Sequence, residues 1–368
     1  MIEERRAVAR ARRIVVKIGS RTLAGDRSVY DRLADSVARA HAADRAVAIV
    51  SSGAIALGTK KLGFTSRPKE MAKLQAAAAA GQSLLMRAYE EAFAARGLVV
   101  GQVLLTHADL ADRTRGNNAR AALGALLDAG AVPILNENDS VAVEEIKFGD
   151  NDQLAAMVAP LVDADLLVLL SDVEGLLDAK GARVPLVRDS MVEALPLVRR
   201  NMTGTAGGVG SGGMESKIEA ARRAALAGAN VVVADARGES TLNDVLAGKD
   251  VGTLFVAAAD RMSAKKSWIA FTLRPRGDIL LDRGAVDAVR AKGKSVLAIG
   301  VRGVRGDFRA GDAVRLVDSD GAEIGRGLAR CSAADAALVA GRGKDDLAGA
   351  LADLAVLVHR DDLVVVTR

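Results

Sequence analysis

Over its first two thirds the chain alternates short β-branched runs with longer stretches rich in Ala and Leu. The runs Arg13–Lys17, Ala46–Ser51, Val99–Leu105, Val132–Leu135, Leu166–Leu170 and Asn230–Ala234 read as strands. Between them, Val29–Ala43, Glu70–Ala95, Asn118–Ala129, Asp152–Leu161 and Met214–Ala227 read as helices. The Ala-rich piece Gln75–Gly81 is low in complexity, but Ala is the best helix former, so a helix is expected there too. Strand and helix in alternation predict an α/β fold, an open and mostly parallel sheet sandwiched by helices. Past about Arg261 the pattern changes. A polar connector, 261–276, leads into short alternating runs broken by Gly and Asp: Gly277–Leu281, Ser295–Gly300, Ala313–Val317 and Leu363–Thr367. That spacing predicts a small β-barrel. The expected organisation is a domain over 1–260, a linker over 261–276 and a barrel over 277–368.

Composition narrows this picture. A length of 368 residues suits two domains, and half the residues are hydrophobic, ample for a core. One cysteine, Cys331, excludes an intrachain disulfide framework, and three scattered histidines exclude a His cluster. Residues 1–13 mix acid and base with no apolar core of a signal peptide, and no apolar run reaches membrane-spanning length, so a cytoplasmic protein with no membrane partner is expected. The net charge of +5 lies wholly in residues 261–368, where 19 basic residues face 14 acidic ones. The excess is compatible with a polyanionic partner, but with only Trp268, Phe271 and Phe308 there, RNA binding by the barrel is unsupported.

Candidate chemistry gathers at the carboxyl ends of the strands, where open α/β sheets bind ligands. Lys17-Ile18-Gly19-Ser20, Ser51-Ser52-Gly53, Asn136-Glu137-Asn138-Asp139 and Ser171-Asp172 are four such tips. Lys17 closes an apolar run, so it is either a surface lysine or a buried cation that needs an anionic partner. Ser51-Ser52-Gly53-Ala54-Ile55 reads either as an ordinary turn or as a nest of backbone N–H groups entering a helix. The Gly-rich stretch from Gly207 to Lys217 opens onto a helix. It reads as a surface loop or as a phosphate cradle, with Lys217 adding charge in the first turn. Its Gly208, Gly210 and Gly213 spell a dinucleotide-type spacing, but the preceding residues are too polar for the required strand. The clusters Asn136–Asp139 and Gly149–Asp152 flank a predicted hairpin, Val141–Phe148. They serve either as turns or as a set of donors and acceptors for a small polar molecule and nearby lysines. A carboxylate cage for a hard metal is a third reading of these clusters, though no side-chain ligands are assigned to one, and no nucleophile elbow or metalloprotease helix is present.

In this order, Lys17-Ile18-Gly19-Ser20, Val50–Ile55, Asn136–Asp139, Ile146–Asp152, Ser171–Leu176 and Gly212–Lys217 resemble the amino acid kinase family. The resemblance extends to the branch that phosphorylates glutamate and carries a C-terminal PUA domain. It implies transfer of phosphate from ATP, with Mg2+, to the γ-carboxylate of L-glutamate, the first step of proline synthesis. It implies catalytic roles for Lys17, Lys217 and Asp152, the last holding the lysines. It places glutamate at Ser52, Gly53, Asn136, Asp139, Asp150 and Asn151. ATP falls at Lys17, Gly19, Ser171, Asp172, Ser211, Gly212, Gly213, Met214, Glu215, Ser216 and Lys217. It further implies inhibition by proline and a homo-oligomer, dimer or tetramer. Ser20, Ser51 and Ser171 stand where Thr is common in the family, which keeps each hydroxyl. The rival readings are a kinase of the same fold acting on N-acetylglutamate, aspartate or uridine monophosphate, and an RNA-binding PUA protein with a kinase-like domain. Lys17→Ala and Lys217→Ala are expected to lower kcat with little loss of folding.

Overall fold

Six strands form the centre of the first unit: β1 (Arg13–Ile18), β2 (Ala46–Ser51), β3 (Val100–Leu105), β4 (Val132–Glu137), β5 (Leu166–Ser171) and β7 (Asn230–Asp235). In β1, β2, β4 and β5 nearly every residue is buried, as expected of strands covered on both faces. Together with β6 (Leu186–Val187) and β8 (Thr253–Phe255) they make one eight-stranded sheet in the order β3-β4-β2-β1-β5-β7-β8-β6. Every pairing is parallel except β7 with β8. The computed structural model describes residues 2–25, 27–141, 151–197, 211–347 and 349–365. The chain divides into two compact units, 1–261 and 262–368.

Helices cover both faces of the sheet, and the strands' period of two decides which side chains meet which helices. Ile14, Val16 and Ile18 of β1 join a core with α3 (Ser28–Ala42) and α5 (Met71–Ala94) that includes Leu33, Val37, Leu85, Tyr89 and Phe93. Val15 points the other way, into a core with α7 (Arg113–Asp128), α8 (Asn151–Leu161) and α9 (Ser211–Leu226) that includes Leu123, Ala155 and Ile218. Lys17 shares the face of Val15, so it is aimed at α8 and α9.

Most sequence boundaries lie within a residue or two of the observed ones, but α9 starts at Ser211 rather than Met214, which puts Lys217 in its second turn and not its first, and one exception is larger. The helix expected from Asn118 starts at Arg113, because the Asp112 side chain accepts a hydrogen bond from the Arg115 N–H and caps it. Helix α4 (Ala54–Lys61) crosses α5 at backbone distance through two glycines. A Cβ on Gly58 would lie 1.7 Å from the Ala77 carbonyl, and one on Gly81 would lie 1.7 Å from that of Ala54.

The second unit contains a five-stranded mixed sheet with its own apolar core, including Ile279, Phe308, Leu316 and Ile324. The stretch read as a connector includes helical residues 264–272, with Ile269 and Ala270 buried. Among the described residues no helix is long and apolar enough to cross a membrane.

Candidate active site

A buried carboxylate shared by two lysines forms the centre of the site. Lys17 Nζ lies 2.6 Å from Asp152 Oδ1, and Lys217 Nζ lies 2.9 Å from Asp152 Oδ2. Each partner comes from a different core element: the end of β1, the first turn of α8 and the second turn of α9. Asp152 is only 1 % exposed and Lys17 only 7 %. Burial alone would raise the Asp152 carboxyl, but the charges and hydrogen bonds of the two lysines prevail and hold it below the usual carboxylate range. The trio carries a net single positive charge, and the position of Asp152 at a helix start adds a favourable dipole. Gly19 lies beside the Lys17 ammonium, since a Cβ built on it would come within 4.0 Å of Nζ, an ordinary contact.

Two adjoining cavities lie here, and the two lysines line the second of them. One, of about 290 Å3, is walled by the start of α4 (Gly53 to Ala56), by Asn136 and Glu137 at the end of β4 and Asp139 just beyond it, and by Arg67, Ser52 and Asn151. The other, of about 230 Å3, is lined by Lys17, Gly19, Arg21, Ser171, Asp172, Gly213, Met214 and Lys217. Ser20 and Ser52 line both, so one opens into reach of the other. Gly53 sits at φ 109° just before α4, a left-handed conformation that favours glycine, and turns the chain so that the helix start faces the first cavity.

An amide network fixes the wall between the cavities. Asn151 Nδ2 donates to the Ser51 carbonyl and to Ser52 Oγ, each at 2.8 Å, and to Asn136 Oδ1 at 3.0 Å. Asn136 Nδ2 in turn donates to Gln82 Oε1 of α5 at 2.9 Å. Below it, the buried Tyr89 hydroxyl donates to Ser51 Oγ at 2.9 Å. Asp139 behaves differently from Asp152: burial pushes its carboxyl up to about 6, against the opposing pull of Arg67.

The structure therefore brings together Lys17, Gly19, Ser52, Gly53, Asn136, Asp139, Asn151, Asp152, Ser171, Asp172, Gly213, Met214 and Lys217. Asp172 holds Arg21 in an ion pair at the rim. Ser216 faces α8 instead, its carbonyl accepting from Gln153 Nε2 at 3.0 Å, and Glu215 lines neither cavity. Asp150, residues 142–148 of the expected hairpin and Gly207–Gly210 lie outside the described residues, as does the side chain of Ser211, and Gly212 is described only as part of α9. Arg67, Gln82 and Tyr89 escape a sequence reading. Arg67 lies in a polar stretch without motif, and the other two belong to a helix whose periodicity announces only packing. Among the described residues no three His, Cys, Asp or Glu side chains group as a metal site.

Residues 12–235 match the amino acid kinase family, and residues 277–348 match the PUA domain. The chain is 47 % identical over 371 residues to a glutamate 5-kinase from Myxococcus xanthus, covering 98 % of each chain. It is 45 % identical over 370 residues to one from Ralstonia nicotianae, covering 98 % of this chain and 99 % of the relative. Among solved structures it is similar to an N-acetylglutamate synthase from Neisseria gonorrhoeae complexed with coenzyme A and L-arginine. That match has a TM-score of 0.50 and 17 % identity, covers 70 % of this chain and 64 % of that one, and speaks for the fold alone.

Proposed function

The chain belongs to the amino acid kinase family and, along its whole length, to the glutamate 5-kinases, and from that premise we propose how its site works. The enzyme phosphorylates the γ-carboxylate of L-glutamate to give L-glutamyl 5-phosphate, the first step of proline biosynthesis. Glutamate occupies the cavity of Ser52, Gly53, Asn136, Asp139 and Asn151, joined by Asp150. MgATP occupies the cleft of Gly19, Ser171, Asp172 and the start of α9, with the metal arriving on the nucleotide. The Gly19 and Gly53 N–H groups and the amides of Asn136 and Asn151 position the two substrates.

Chemistry at this junction needs no general base, because the γ-carboxylate is ionised at neutral pH and is itself the nucleophile. One of its oxygens forms a bond to the γ-phosphorus as the bond from phosphorus to the β,γ-bridging oxygen breaks, and ADP leaves with the electron pair. Two anions must approach, so the protein's task is to orient them and to neutralise charge. Lys17 and Lys217 do this at the reacting oxygens, and Asp152 fixes both ammonium groups before substrate arrives. The observation that carries this reading is the buried Lys17–Asp152–Lys217 bridge, whose lysines line one of two cavities that share Ser20 and Ser52.

Proline, which shares the ammonium and carboxylate of the glutamate head group, inhibits by entering the same cavity. The protein works in the cytoplasm as a homo-oligomer. The test is ATP consumption with L-glutamate and Mg2+, trapping the acyl phosphate with hydroxylamine, alongside N-acetylglutamate, aspartate and uridine monophosphate. Hydroxamate from glutamate, suppressed by proline, is the expected result. Reaction with another acceptor and none with glutamate would overturn the substrate assignment.

A further inference from the structure

The head group of an α-amino acid carries one positive and one negative charge, and the 290 Å3 cavity offers a counterpart for each. Its acidic side chains are Asp139 and Glu137. Among its described lining residues the single cationic side chain is Arg67. Arg67 comes from the connection between α4 and α5, while Asp139 comes from the loop after β4, so the two charges approach from different walls. Their fields overlap, since the Arg67 charge acts on the Asp139 carboxyl. The lysines lie at the other end, beside Ser52 and Ser20, where the two cavities join.

We propose that Arg67 is a specificity-determining residue that binds the α-carboxylate of the substrate, with Asp139 taking the α-ammonium group. The inference rests on the reading of this cavity as the glutamate site. Glutamate has two carboxylates, and only one can react. With the γ-carboxylate drawn toward Lys17 and Lys217, the α-carboxylate is left at the far end, where an uncompensated anion beside Asp139 and Glu137 would be repelled. A guanidinium there answers it with two parallel N–H donors, a geometry that suits a carboxylate better than a carboxamide. In the free enzyme Arg67 and Asp139 attract each other across the cavity, and the zwitterionic head group replaces that attraction with two closer ones. Arg67 is exposed, so it can swing onto a bound ligand, and replacing it leaves the core packing untouched.

The test compares kcat/KM, by hydroxamate formation, for three acceptors that all keep a free γ-carboxylate: L-glutamate, its 1-amide and N-acetyl-L-glutamate. The 1-amide lacks the α-carboxylate, and the N-acetyl compound lacks the ammonium. In Arg67→Ala the preference for glutamate over the 1-amide should fall by about tenfold or more, with partial recovery in Arg67→Lys, because a site built for a charged group discriminates strongly against its neutral analogue. The preference over N-acetylglutamate should hold in Arg67→Ala and collapse in Asp139→Asn. That crossed pattern is one that a general loosening of the loop cannot produce. An unchanged preference over the 1-amide in Arg67→Ala, with glutamate still turned over by the wild type, would overturn the role of Arg67 alone. A wild type inert toward glutamate would overturn the glutamate reading together with it.

Discussion

The two ends of the proposed active site are built in opposite ways. At the reacting end, Lys17, Asp152 and Lys217 project from the sheet and from two helices packed on it, and each charge has its partner within 2.9 Å before any substrate is present. At the recognition end, Arg67 and Asp139 stand on connecting loops, and burial outweighs the pull of Arg67 and raises the Asp139 carboxyl to about 6. The difference follows from what each must do. Charge stabilisation in a transition state gains most from groups that need not reorganise, whereas a substrate must enter and leave past the groups that recognise it. On the proposed assignment, one end is complete without the substrate, and the other is completed by it.

The strongest way to break this contrast is to remove a lysine. Lys217→Ala should lower kcat by about 10²–10³, the loss typical of deleting one preorganised group that stabilises transition-state charge, with a far smaller change in KM for glutamate. Lys17→Ala should do the same, and here the structure amends the expectation of unaltered folding. Lys17 is buried against Asp152, so its loss should also cost about 1–3 kcal/mol of stability, visible as a lower Tm. Wild-type kcat in both variants would remove them from the chemistry.

Next in size is the scaffold of the recognition end. Gly81→Ala would drive a methyl group into the Ala54 carbonyl and force α4 away from α5, costing about 1–3 kcal/mol. Because Gly53 to Ala56 wall the cavity proposed for glutamate, KM should rise as well, and an unaltered Tm would show that the crossing relaxes freely. The smallest effect belongs to the layer beneath. Tyr89→Phe deletes the hydrogen bond to Ser51 Oγ in a fully buried place and should cost about 0.5–1.5 kcal/mol by denaturant titration, leaving kcat nearly intact.

The same contrast explains what the sequence could reveal. The strands were legible because nearly continuous apolar runs mark buried parallel strands, whereas Lys17 was legible only as a choice between a surface lysine and a buried cation that needs a partner. The partner, Asp152, could be assigned only through the resemblance, since nothing local says that residues 135 positions apart in the chain will meet. Arg67 and Gln82 were not legible. One sits among polar loop residues and the other in an Ala-rich helix, and their roles arise only when α4, α5 and the end of β4 are brought together. The extra turn of α7 was hidden for a local reason, because Asp112 caps a segment whose first residues, Arg113 to Asn118, show no apolar stripe.

The central claim, a site preorganised at one end and substrate-completed at the other, is tested most directly by the pH dependence of kcat and of KM for glutamate measured together. Asp152 is held below the ordinary carboxylate range, so its pairing persists through mild acid and kcat should stay level from neutrality down past pH 6. Asp139 has a raised pKa of about 6, so below that pH it takes up a proton and loses the charge that attracts the ammonium group. KM should therefore be level above about pH 6 and rise below it toward about tenfold per unit, and Asp139→Asn should abolish the break. A break near 6 in kcat with a level KM would contradict the account, because it would place the titrating group at the reacting end.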